Sequence, residues 1–215
     1  MKDNPQRIPV KAWGIVFVFA FFLISFSVVM FRHSEKKSTG ETQSFGSVPD
    51  FHFTTQDGKP FSKADLLGKV WIVDFFFTSC PGPCPIMSSR LSEVYRELKR
   101  ADDVRLVSVS IDPEHDSPQV LSEYASRFEA KSDRWIFLTG PKSEITEFTT
   151  RGMLQALATD SSGIPTHSTR FLIIDRNGEI RKIRHLDEPE LVQKLLMDIG
   201  DLLRESSIGK ASKSN

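Results

Sequence analysis

The chain has 215 residues, 39% of them hydrophobic, enough to bury one sizeable core with appendages. Lysine plus arginine and aspartate plus glutamate number 28 each, and no block of like charge stands out, so nothing points to nucleic acid or a polyanionic partner. Two cysteines in so long a chain exclude a disulfide-stapled miniature scaffold, and the pair needs a local explanation.

Residues 1–11 precede an uncharged run from Ala12 to Phe31 (AWGIVFVFAFFLISFSVVMF), long enough to cross a bilayer as a helix. No small-residue cleavage site follows between Ser27 and His33, so the run reads as an uncleaved transmembrane anchor over 12–31. Lys2, Arg7 and Lys11 before it balance Arg32, Lys36 and Lys37 after it, so charge does not orient it. Residues 32–47 are rich in Ser, Thr, Gly and charge and read as a flexible tether.

A folded domain is expected over 48–205. Asp50 to Phe53 alternates as a strand, Asp57-Gly58 signals a tight turn, and Lys59 to Phe61 is the returning partner. Lys69 to Phe77 (KVWIVDFFF) is too apolar to be half exposed and predicts a central strand buried on both faces. From Pro85 the period changes: Met87, Leu91, Val94 and Leu98 recur at helical spacing. Val104 to Ile111 predicts a second apolar strand, Ser117-Pro118 opens a helix reaching Phe128, Trp135 to Leu138 a short strand, and Lys142 to Ala158 a helix. Arg170 to Asp175 and Glu179 to Arg184 form a hairpin about Arg176-Asn177-Gly178, and Asp187 is read as the cap of a last helix. Strands alternating with helices, then a hairpin and a helix, give an α/β domain with a mixed sheet, in the order of the thioredoxin-like fold. Residues 206–215 read as a polar, disordered tail.

The chemistry concentrates in Thr78-Ser79-Cys80-Pro81-Gly82-Pro83-Cys84-Pro85, between the central strand and the helix that follows. If both cysteines lay on one first helical turn, their positions i and i+4 would share a face, with Cα atoms roughly 6 Å apart. Two sulfurs so placed can meet one soft ion, form a disulfide, or exchange with a partner's disulfide. A purely structural disulfide explains the position poorly, because closing so short a loop removes little chain entropy. A metal site needs a third ligand, which directs attention to the histidines. His33 lies in the tether, His52 in the first strand, and His185 beside the last cap. His115 sits among Asp112, Glu114 and Asp116, which would hold it protonated. His167 lies in a loop rich in Gly and Pro directly before the strand at Arg170.

Three motifs in order, Asp74-Phe75-Phe76-Phe77-Thr78-Ser79-Cys80 with Cys84-Pro85, Ser110-Ile111-Asp112-Pro113-Glu114 with Asp116-Ser117-Pro118, and His167-Ser168 with Phe171-Leu172, resemble the Sco/SenC family from Val48 to Leu203. That resemblance implies a membrane-tethered thioredoxin-like domain on the periplasmic side of the bacterial inner membrane. It would bind copper, Cu(I) or Cu(II), and help assemble the copper centre of cytochrome c oxidase or supply another copper protein. By residue matching, the ligands would be Cys80, Cys84 and His167, with Asp112 at an acidic position near them. The chain departs from the family pattern in carrying Pro165-Thr166 where members commonly have Asp before the histidine. The alternative reading is a thiol:disulfide oxidoreductase in which Cys80 attacks a partner disulfide and Cys84 resolves it, with a thiol reductant restoring the pair.

Overall fold

The computed structural model describes residues 44–98, 101–152 and 169–211. All belong to one compact unit, Gln43–Asn215. The expected anchor over 12–31, most of the tether, and His167 lie outside the described residues. Among the residues that are described, no helix is long and apolar enough to cross a membrane.

Strand β1 (His52–Thr55) turns at Asp57-Gly58 and returns as β2 (Pro60–Ser62). Gly58 takes φ +74°, a conformation glycine adopts without steric cost. After a 3-10 turn at Lys63–Leu66 comes β3 (Val70–Phe76), buried throughout. Helix α1 (Pro83–Glu97), β4 (Val104–Ser110), α2 (Pro118–Ser126), β5 (Trp135–Thr139) and α3 (Lys142–Glu147) follow. Strands β6 (Arg170–Ile174) and β7 (Ile180–His185) and helix α4 (Leu191–Ala211) close the domain.

The strands form one seven-stranded sheet in the order β2-β1-β5-β4-β3-β6-β7. Strands β3, β4 and β5 run parallel, while β6 lies antiparallel to β3 and β1 antiparallel to β5. Side-chain alternation along β3 divides the core in two. Val70, Ile72 and Phe76 face Met87, Leu91 and Val94 of α1 together with residues of α2 and α4. Trp71, Val73 and Phe75 face Phe51, Phe53, Ile145 and Phe148 on the other side. A strand packed on both faces must be apolar almost throughout, which is why Lys69 to Phe77 reads as it does.

Several local expectations change. Helix α3 ends as an α-helix at Glu147 and widens into a π turn at Phe148–Gly152, and the rest of the expected helix, to Ala158, lies outside the described residues. Thr149 and Thr150 hydroxyls donate back to the Ile145 and Thr146 carbonyls at 2.8 and 2.6 Å, competing for the acceptors that regular helix bonding uses. Asp187 does not cap α4, which starts at Leu191 after Pro189 and Glu190, the latter at φ +55°. The carboxylate in use there is Glu188, accepting from the His185 amide at 2.8 Å. Ser117 does cap α2, accepting from the Val120 amide. The backbone of α4 runs to Ala211, into the segment 206–215 that reads as a tail.

The chain enters the domain at one end of the sheet. Val48 donates to the Gly178 carbonyl and Phe45 to that of Ile180, and Ser47 bridges Glu179, all at the turn joining β6 to β7. Because β6 is antiparallel to β3, that turn sits at the start of β3. The cysteines follow the opposite end.

Candidate metal centre

The backbone of β3 ends at Phe76, and a turn closes when the Cys80 amide donates to the Phe77 carbonyl at 3.2 Å. Helix α1 then starts at Pro83, with Gly82 as the residue before it. This corrects the helical-spacing expectation: Cys84 lies in the first turn of α1, whereas Cys80 precedes the helix. The sulfurs meet because the turn folds Cys80 over the helix N-terminus, with the Cys84 thiol donating to the Cys80 sulfur. Both cysteines are free and buried, at 5% and 3% exposure, so neither sulfur is presented as an open surface thiol. Around them Pro81, Gly82, Pro85 and Ile86 are exposed.

The spacing of prolines acquires a purpose here. Pro81, Pro83 and Pro85 have no NH groups, and the residues between them, Gly82 and Cys84, do. Both of those amides donate to the Cys80 sulfur. Burial alone would raise the Cys80 pKa, but the Cys84 thiol and the two amides outweigh it and hold that thiol below its ordinary value. Cys84 moves the other way. Burial, its bond to Cys80 and the charges of Cys80 and Asp74 push it up to about 12. The pair thus joins a thiol that gives up its proton more easily than an ordinary cysteine to one that keeps its proton until something displaces it.

Asp74 lies on the α1 side of β3, by alternation with Ile72 and Phe76, and is completely buried. Burial pushes its carboxyl up to about 7, against the opposing effect of the Ser108 hydroxyl, which donates to Oδ1 at 2.6 Å. The Trp135 indole in turn donates to Ser108 Oγ at 3.0 Å, and Asp74 Oδ2 has no hydrogen-bond partner among the described residues. A single acid inside KVWIVDFFF was the sequence signal for this group, and composition alone did not give it a role.

Asp112 is half-buried in the loop after β4, with both carboxylate oxygens 2.9 Å from Nδ1 of exposed His115. Those hydrogen bonds raise the His115 pKa, as the surrounding acids predict. Asp116, read from sequence only as one of those acids, is instead fully buried and turned towards the cysteine turn. His52 is exposed at the start of β1 and His185 is half-buried in β7. Among the described residues no group of three or more His, Cys, Asp or Glu can hold a metal ion. The described ligands number two, both soft sulfurs, which suit Cu(I). His167 lies outside the described residues, and the chain enters β6 three positions later, at Arg170, at the same end of the sheet as Cys80.

A mixed sheet with a dithiol between its central strand and the next helix defines a thioredoxin-like protein. The SCO1/SenC family model matches residues 39–204. The chain belongs to that family. It is 37% identical over 139 residues to the SCO1 protein homolog of Bacillus subtilis strain 168, covering 63% of this chain and 72% of that one. Its fold is similar to that of BsSco, a member of the Sco family of cytochrome c oxidase assembly proteins in which a disulfide switch is identified. There the TM-score is 0.65 at 32% identity, covering 75% of this chain and 96% of that one. Copper-bound ScoI of Bradyrhizobium japonicum matches with TM-score 0.60 and 27% identity over 73% of this chain and 99% of that one.

Proposed function

We propose that this protein is a membrane-anchored copper chaperone that serves assembly of the copper centre of cytochrome c oxidase. Copper is its cargo, held by Cys80 and Cys84 as thiolates and by His167 as the third ligand. The observation that carries this reading is the free dithiol folded over the N-terminus of α1, in a chain whose relatives include a copper-bound protein of the same family. Two thiolates favour Cu(I), and an added imidazole lets the same site hold Cu(II). The high Cys84 pKa means that metal uptake must displace a proton from this sulfur, so loading is easier as pH rises. The anchor over 12–31 would fix the chain in the bacterial inner membrane with the domain in the periplasm. Entry of the chain at the start of β3 leaves the cysteine end free to meet a copper-accepting partner.

Anaerobic competition titration of the reduced full-length chain in mild detergent tests the reading. One Cu(I) per chain is expected, with uptake abolished in Cys80→Ser and Cys84→Ser and severely weakened in His167→Ala. Equal retention by wild type and His167→Ala would remove the histidine from the site.

The split between the two thiols supports a second activity of the same residues. The Cys80 thiolate attacks a partner disulfide and the partner's leaving sulfur takes a proton. Cys84 then loses its proton and attacks Cys80, releasing the reduced partner and leaving the Cys80–Cys84 disulfide. Cys84→Ser would trap the mixed disulfide on a gel. Absence of any such adduct with a disulfide-bonded copper-site peptide would argue against exchange.

A further inference from the structure

The buried carboxylate of Asp116 is aimed away from its own helix. An aspartate just ahead of a helix can serve the first-turn amides, but Ser117 does that for α2. Asp116 instead reaches the turn between β3 and α1. The Thr78 amide donates to Oδ2 at 3.1 Å and to Oδ1 at 3.4 Å, and the Thr78 hydroxyl donates to Oδ1 at 2.5 Å. From the other side, the Ser110 hydroxyl at the end of β4 donates to Oδ2 at 2.5 Å. The loop that carries the carboxylate is closed on itself, because the Asp116 amide donates to the Asp112 carbonyl at 3.0 Å and the Asp112 amide to Ser110 Oγ at 3.1 Å.

We propose that Asp116 is the positioning residue of the cysteine site, holding the Phe77–Cys80 turn at Thr78 so that the Cys80 sulfur stays over the helix N-terminus beside Cys84. The inference rests on the copper-site reading given above, and its geometry is independent of that reading. Thr78 stands inside the turn that the Cys80 amide closes on Phe77, two residues before the sulfur. Two donors of one residue on one buried carboxylate fix both the height and the rotation of that turn, which a single bond would not. A carboxylate with no solvent exposure is costly unless it is fully hydrogen-bonded, and two of its three donor groups belong to the turn that presents the ligand. A role confined to stability predicts that the folded fraction of an altered protein binds copper normally. A positioning role predicts a change in the site itself.

The test compares full-length wild type in mild detergent with Asp116→Asn, Thr78→Val and Thr78→Ser, each checked for folding by circular dichroism. Three readouts are taken: Cu(I) affinity by competition, the sulfur-to-copper charge-transfer band of the Cu(II) form, and the thiol–disulfide equilibrium constant against glutathione. Asp116→Asn and Thr78→Val should lower copper affinity by about tenfold or more and shift the band. Both should also move the exchange constant by about fivefold, the effect of losing one well-placed hydrogen bond. Thr78→Ser keeps the hydroxyl and should stay close to wild type in all three. If Asp116→Asn fails to fold, the contrast between Thr78→Val and Thr78→Ser decides. Folded variants with wild-type affinity, spectrum and exchange constant overturn the proposal. If wild type takes up no copper the chaperone reading fails, and the exchange constant still decides the role of Asp116: a shift in Thr78→Val but not in Thr78→Ser supports it, and no shift rejects it.

Discussion

Burial and hydrogen bonding split two chemically identical thiols. Cys80 receives the two amides that the alternating prolines leave available, whereas Cys84 has only the Phe77 amide, which burial, its bond to Cys80 and the charges of Cys80 and Asp74 outweigh. Alkylation of the reduced chain by iodoacetamide should therefore modify Cys80 first, at a rate that rises at lower pH than for an ordinary thiol, while Cys84 stays unreactive there. Mass spectrometry of the digest reads the order, and equal labelling of both would contradict it. Asp74 carries a separate consequence. Its carboxyl is raised from 3.8 to about 7 in the folded chain, so the native state binds the proton more tightly than the unfolded one. The contribution is complete below about pH 4 and is lost as pH rises through 7. Asp74→Asn, which keeps an acceptor for Ser108, should match wild type in urea unfolding near pH 4 and exceed it at pH 8. Parallel pH profiles would contradict this assignment.

At the scale of elements, α1 holds the site by packing. Leu91 is fully buried between the helix and the sheet, so Leu91→Ala should cost about 2–5 kcal/mol in denaturant unfolding. The remaining folded protein should bind copper at unchanged stoichiometry, because Leu91 lies away from the sulfurs along the helix. The same helix marks what could be read in advance. Met87, Leu91 and Val94 announce it by period, and Lys69 to Phe77 announces the buried strand by continuous apolarity. Local chemistry likewise announces the turns at Asp57-Gly58 and Asn177-Gly178, and Gly178 takes φ +83°. The geometry of the site was less legible. Starting α1 at Pro83 places Cys80 outside the helix, and this depends on the turn closed at Phe77, which no periodicity records. The part played by Asp116 was hidden for a related reason: its partners, Thr78 and Ser110, come from the ends of two different strands, and only folding brings them to one carboxylate.

At the scale of the molecule, the residues from Ser44 onward belong to the sheet. Phe45 and Val48 bond the β6–β7 turn, Val48 is 1% exposed, and Lys63 donates to the Val48 carbonyl at 2.5 Å. A chain beginning at Gln43 should unfold in one cooperative transition and bind copper as the full chain does. One beginning at Pro49 should melt at clearly lower temperature, and equal melting would show that this segment adds nothing. The fold thereby puts the point where the chain enters the domain and the cysteine turn at opposite ends of the sheet, an arrangement that suits the tethered delivery proposed above. The central claim is the ligand set, and X-ray absorption at the copper edge of the reduced, Cu(I)-loaded full-length protein tests it most directly. Two sulfurs and one imidazole nitrogen around each copper, with the nitrogen lost in His167→Ala, are predicted. A copper environment of sulfur alone, or one unchanged by that substitution, would contradict it.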